Sequence, residues 1–161
     1  MKLLSQFILE NQSFSKISLM ESQNKRLFEQ SSKRFVDVIV INKDNELLVL
    51  RRANYMKNFR GMWGVVGGSI ENNEDSKEAA IRELYEETKI EKSDIKDIQR
   101  SEDIDHGNGN ITEVWVVKVD NPEIKISKEH AQYKWLSDLS VIKGKWMPDI
   151  KEVLEKIIRN L

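Results

Sequence analysis

The chain has 161 residues, of which 33% are charged, with a net charge of −1 and no cysteine. That length suits one domain with a real core, and the balanced charge offers no surface for nucleic acid or anionic membrane. The missing cysteines exclude disulfides and thiolate zinc sites and suit a reducing cytosol. Leu3, Leu4, Phe7, Ile8 and Leu9 form an apolar start, but Ser5-Gln6 interrupt it and Glu10-Asn11-Gln12 end it. It is too short and too polar for a signal peptide or a membrane span, so the expectation is a cytoplasmic protein free of the membrane.

Residues 1–31 have no clean period and read as an N-terminal extension, with Glu21 to Glu29 compatible with a short helix; residues 32–161 read as the domain. Arg34 to Ile41 is rich in β-branched and aromatic residues and predicts a strand. Asn42-Lys43-Asp44-Asn45 predicts a turn and Glu46 to Arg52 the return strand of a hairpin. Ala53 to Gly61 reads as a polar loop, and Met62 to Val66 as a short strand running into Gly67-Gly68. Asp75-Ser76 can cap a helix that runs through Glu87, with Ala80, Ile81, Leu84 and Tyr85 as its apolar side. Ile95 to Ile104 predicts a strand, His106 to Asn110 an Asn-Gly type turn, and Ile111 to Val119 the partner strand. Gln132 to Leu136 predicts a last short strand. Pro148 suits a first helical position, followed by an amphipathic helix from Asp149 to Leu161 with Ile150, Val153, Leu154, Ile157 and Ile158 on one side. Interleaved helices and strands predict an α/β fold with a mixed sheet.

On the first of these helices Glu83, Glu86 and Glu87 stand at i, i+3 and i+4 and share one face. Like charges so placed destabilise a helix by roughly 0.2–0.5 kcal/mol per pair. A chain that concentrates them reads as a cation site, because hard cations such as Mg²⁺ take oxygen ligands and bridge carboxylates to phosphates. Taken alone, the same charges also read as a solvated acidic face laced with Lys77, Arg82 and Lys89.

The stretch from Gly68 through Glu74 to Arg82-Glu83-Leu84-Tyr85-Glu86-Glu87-Thr88-Lys89-Ile90 resembles the Nudix box: Gly, five residues, Glu, seven residues, then Arg-Glu-apolar-x-Glu-Glu-x-Gly-apolar. Six fixed matches arise by chance on the order of once in 10⁷ starting positions. The family's second Gly is Lys89 here, and Val66 stands where many relatives carry Pro. Lys89 leaves two readings: a Lys forced into the left-handed region at a cost of roughly 1 kcal/mol, or a helix one residue longer.

The resemblance implies an α/β/α sandwich, with the box helix on one side of the sheet and the C-terminal helix on the other. It implies Mg²⁺ or Mn²⁺ as cofactor, held by Glu83, Glu86 and Glu87 and by a backbone carbonyl at Gly68 beside Gly67. Arg82 would orient a box glutamate, and Glu74 would have a structural role. The general base is left between Glu83 and a loop acid. Glu129-His130 followed by Trp135 resembles a segment of many Nudix enzymes, which makes Glu129 the loop candidate, with Glu102, Asp103 and Asp105 as rivals and His130 as a group that could orient a neighbour. Arg51, Arg52 and Arg60 could contact phosphates, Arg52 and Gly67 being the chosen substrate contacts. Trp63 and Trp135 suit core packing better than stacking on a base.

The activity so implied is pyrophosphohydrolysis of a nucleoside diphosphate linked to a group X, by water attack on phosphorus. A (d)NTP stands first as the nucleotide partner, with ADP-ribose, a nucleotide-sugar or a dinucleoside polyphosphate as alternatives. Removal of a 5′ pyrophosphate from RNA ranks below these, because no basic cluster marks a strand-binding surface. A homodimer is compatible with the sequence. A rival of another class is a non-catalytic nucleotide-binding Nudix module; such domains tend to lose box carboxylates, and all are present here.

Overall fold

The computed structural model describes residues 33–161 and, before them, residues 20, 22 and 23. The expected helix from Glu21 to Glu29 therefore falls largely outside the described residues. From there the order is β1 (Arg34–Ile41), β2 (Leu47–Arg52), β3 (Trp63–Gly64), β4 (Val66–Ser69), α1 (Ser76–Thr88), β5 (Ile95–Arg100), β6 (Ile104–Asp105), β7 (Ile111–Val119), β8 (His130–Leu136) and α2 (Ile150–Ile158). Single 3₁₀ turns at Lys92–Asp94 and Leu139–Val141 join neighbouring elements.

The β1–β2 hairpin is built by Asn42. Its Oδ1 accepts from the backbone N–H groups of Asp44 (3.0 Å) and Glu46 (2.9 Å), while Asn45 takes φ 60°. Such side-chain-to-backbone bonds are what favour Asn in turns. β1 touches β2 in register at Ile41 and Leu47, and its first half turns instead to β4, with Val36 opposite Gly68 and Asp37 opposite Gly67. On its other edge β1 runs parallel to β7 from Arg34–Ile111 to Ile41–Lys118. The remaining pairings are antiparallel, so the sheet is mixed, as expected.

Period-two alternation divides the apolar side chains between the two faces of the sheet. Val38, Val40, Leu48 and Leu50 meet Ala80 and Leu84 of α1. Ile39, Ile41, Leu47 and Val49 meet Ile150 and Leu154 of α2. One helix covers each face, which is the α/β/α sandwich.

Four details differ from the sequence expectation. Met62 to Val66 is two strands, because Trp63–Gly64 pairs with β2 while Val66–Ser69 crosses to β1; Gly67-Gly68 thus lies within a strand. Ile95 to Ile104 is interrupted after Arg100, where the guanidinium folds onto Asp103 at 2.8 Å and onto Glu113 at 3.0 Å. Tyr85 is 47% exposed, and Ala79 takes its place on the buried face of α1. Pro148 lies outside α2, since Asp149 at φ 64° is the residue that leads into it. Among the described residues no helix is long and apolar enough to cross a membrane.

Candidate active site

α1 brings the box together. Asp75 starts it, its Oδ1 accepting from the N–H groups of Lys77 and Glu78 at 2.9 Å each. Ala79, Ala80, Leu84 and Thr88 bury the sheet-facing side. Burying a side chain such as Leu84 is worth roughly 1.5–3 kcal/mol, several times the like-charge penalty on the acidic side. The helix therefore holds although Glu83, Glu86 and Glu87 crowd it. At its end Lys89 takes φ 60°, ψ 17°, and donates its N–H to Tyr85 O at 2.9 Å. Of the two readings left open for Lys89, the left-handed one is observed. The Lys89 ammonium lies 4.6 Å from the centre of the Tyr85 ring.

Arg82 binds four acceptors closely. Nε and Nη2 donate to the two Glu74 oxygens at 2.9 and 3.0 Å, Nη1 to Glu83 Oε1 at 2.8 Å, and Nη2 to Ser69 O at 3.0 Å. A longer 3.4 Å contact reaches Glu86. The paired bond to Glu74 uses the planar fork that only a guanidinium offers. It holds Glu74 below the usual carboxylate range, and Glu74 in turn raises the Arg82 pKa, so the guanidinium stays charged. Arg82 thus fastens the loop before α1 to the helix and fixes the Glu83 carboxylate in one orientation.

Glu83 lies against Gly68. A Cβ at residue 68 would collide with its carboxylate, so the absence of a side chain is what lets strand β4 and helix α1 approach here. A Cβ at Gly67 would come within 2.5 Å of Asp37 Oδ1 and 2.6 Å of the Val36 carbonyl. Burial raises the Glu83 pKa, partly offset by Arg82 and reinforced by Glu87 and Glu86. Asp37 on β1 is pushed up to about 7, first by burial and then by the charge of Glu87. Sequence reasoning passed over Asp37; its signal was a lone acid within a run of β-branched residues.

Glu87 is 6% exposed, and its Oε2 has no hydrogen bond. His130 Nε2 stands 3.0 Å from it, outside hydrogen-bond geometry. The Glu87 and Thr88 carbonyls accept from the N–H groups of Ser127 (2.8 Å) and Lys125 (2.9 Å), which ties the segment before β8 to the end of α1. Glu86 is exposed, its side chain at 55%. Glu129 points to Arg52, 3.1 Å away, and its carbonyl accepts from Ala53 N. Arg51 and Arg60 hold the 53–61 loop through the carbonyls of Gly61 and Met56. Trp63 is buried in the core at 5%, and Trp135 packs against the other core.

Arg52, Gly67, Gly68, Glu87, His130 and Asp37 border one cavity of about 510 Å³. The rivals Glu102, Asp103 and Asp105 border a different cleft, against α2. Among the described residues, no three acid or histidine side chains converge as a ready-made metal cage. The donor set nonetheless suits a hard divalent cation. It is all oxygen, one buried carboxylate oxygen lacks a donor, and burial together with the Glu87 charge raises the pKa values of Asp37 and Glu83, an effect that a bound cation would oppose.

Comparison with known proteins identifies the family and the fold. The model of the NUDIX domain matches residues 32–157. An RNA pyrophosphohydrolase of Pelagibacter ubique is 40% identical over 60 residues, 37% of this chain; the match spans 36%, about a third, of that relative's length. An ADP-ribose pyrophosphatase of Methanocaldococcus jannaschii is 32% identical over 75% of this chain and 68% of its own. The crystal structure of a MutT protein from Methanosarcina mazei superposes with a TM-score of 0.61 at 23% identity, covering 80% of this chain and 94% of that one, a likeness of fold. With Glu74 and Glu83 of its box clamped by Arg82 and the family pattern matched over most of its length, this chain belongs to the Nudix family.

Proposed function

We propose that the protein is a Nudix pyrophosphohydrolase that cleaves the pyrophosphate bond of a nucleoside diphosphate linked to a group X. The observation that carries this reading is the Arg82 clamp, which binds Glu74 through two bonds and presents Glu83 against Gly68. A surface salt bridge worth a few tenths of a kcal/mol would need no such construction.

Glu83, Glu86 and Glu87, with the Gly68 backbone, would hold Mg²⁺ or Mn²⁺. Bound there, the cation would neutralise phosphate charge and lower the pKa of the attacking water. Glu83, positioned by Arg82 and raised in pKa by burial, accepts the proton of that water. Arg52 offers its guanidinium to a phosphate from the cavity wall, and Glu129, paired to Arg52, contributes by orienting it. Gly67 and Gly68 leave the cavity floor clear of side chains. The products are a nucleoside monophosphate and either pyrophosphate or X-phosphate, formed in the cytoplasm.

A (d)NTP remains the first substrate. ADP-ribose is a second reading, favoured by the relative that aligns with three quarters of this chain. A panel of dNTPs, ADP-ribose, nucleotide-sugars, dinucleoside polyphosphates and 5′-triphosphorylated RNA, assayed with Mg²⁺ or Mn²⁺ and with product identification, tests the proposal. Glu87→Gln should lower turnover by orders of magnitude while the fold survives. With EDTA its unfolding midpoint should be unchanged or higher, since one repelling charge is gone. Near-normal hydrolysis by Glu87→Gln would remove it from the site, and no hydrolysis across the panel would favour the binding module.

A further inference from the structure

Phe59 is an aromatic residue held at φ 53°, in the left-handed region where a side chain is strained, and it stays 43% exposed. Two residues on, the chain has Gly61 at φ 66°, where glycine takes that conformation without strain. Burial of the Phe59 ring does not offset its strain, because so much of the ring faces solvent. The loop that carries it is nevertheless firmly tied. Arg52 Nε donates to Asn58 O at 3.2 Å, Met62 N to Phe59 O at 3.1 Å, and the Tyr55 hydroxyl to Lys128 O. Strain that the surroundings enforce at an exposed aromatic points to a ligand contact.

Phe59 borders the same cavity as Gly68 and Glu87, together with Asn58, Phe35 and Pro148. At about 510 Å³ the cavity is of the size that small-molecule sites have. We infer that Phe59 is the stacking platform for the nucleobase of the substrate, and that the 53–61 loop is strained in order to present it. The two tryptophans that sequence alone offered for this role are committed to the core. The inference rests on the proposed function for the identity of the ligand as a nucleotide, and not for its hydrolysis. Arg52 joins the two ends, since it binds the loop at Asn58 and is itself a candidate phosphate contact.

The test uses the full chain with Mg²⁺ and two non-hydrolysable probes, α,β-methylene-ADP and the base-less methylenediphosphonate, measured by calorimetry. Phe59→Asn, which tolerates a left-handed backbone, should raise the unfolding midpoint of the nucleotide-free protein by a few degrees. It should weaken α,β-methylene-ADP roughly tenfold or more, the range that stacking on an aromatic supplies. Methylenediphosphonate should bind both proteins alike, and Phe59→Tyr should restore nucleotide affinity. Equal α,β-methylene-ADP affinity in wild type and Phe59→Asn would overturn the inference, as would an equal loss for both probes. Base-dependent binding through Phe59 in a protein that hydrolyses nothing would sustain the inference and defeat the hydrolase proposal.

Discussion

Arg82 uses its donors on Glu74, Glu83 and the Ser69 carbonyl together, and geometry matters there more than charge. Arg82→Lys keeps the charge but cannot make the paired bond to Glu74 while holding Glu83. We expect kcat/KM to fall at least tenfold with the fold intact by circular dichroism; a Lys variant as active as wild type would reduce Arg82 to a surface residue. Asp37 makes a second residue-scale prediction, for the metal-free protein. Its pKa is raised from 3.8 to about 7, so between about pH 4 and 7 the folded chain holds a proton that the unfolded chain has released. Stability without metal should therefore fall as pH rises through that window. Glu83, also raised, adds a slope of the same sign. Asp37→Asn should flatten the dependence of the unfolding midpoint on pH in EDTA; an unchanged slope would mean that Asp37 is not the group titrating.

At the scale of the element, α1 is fixed at both ends by different means. Asp75 satisfies two N–H groups at the start, and at the end a left-handed Lys89 closes the last turn while residues 125 and 127 donate to the final carbonyls. Glycine would take the Lys89 conformation without the Cβ penalty, though the unfolded chain would be freer and the contact with Tyr85 would be lost. Lys89→Gly should stabilise by up to about 1 kcal/mol and leave turnover nearly unchanged. A large loss of activity would assign Lys89 a substrate role that its position over Tyr85 does not suggest. The same balance of local and distant forces shaped β1. Its period-two pattern made it a strand, yet its change of partner, from β4 over Phe35–Val38 to β2 at Ile41, sets Gly67-Gly68 beside Asp37.

Across the whole molecule, α1, β2 and the start of β8 meet at the cavity, and the general base is a question about their relation. Glu129 is tied to Arg52, and its neighbour His130 faces Glu87. At saturating Mg²⁺, Glu83→Gln should lose most turnover and alter the pH profile, while Glu129→Gln should lose less and act mainly on KM through Arg52. A Glu129 variant more damaged than the Glu83 variant under those conditions would reverse the assignment.

Spacing and local chemistry were enough to read the two helices, the hairpin, the mixed sheet and the acidic face of α1. Periodicity and capping act within a few residues, and the box pattern lies within 23 consecutive positions. Contacts between distant segments decided the rest. Asp37 enters the site only because β4 pairs with β1 there. Glu129 is separated from Glu102, Asp103 and Asp105 only because the 101–105 segment faces α2. Phe59 and Phe35 border the cavity while Trp63 and Trp135 do not, because those tryptophans are consumed in the two cores. Burial, pKa and exposure arise from what the fold packs around a residue, and neither local spacing nor residue type carries that information.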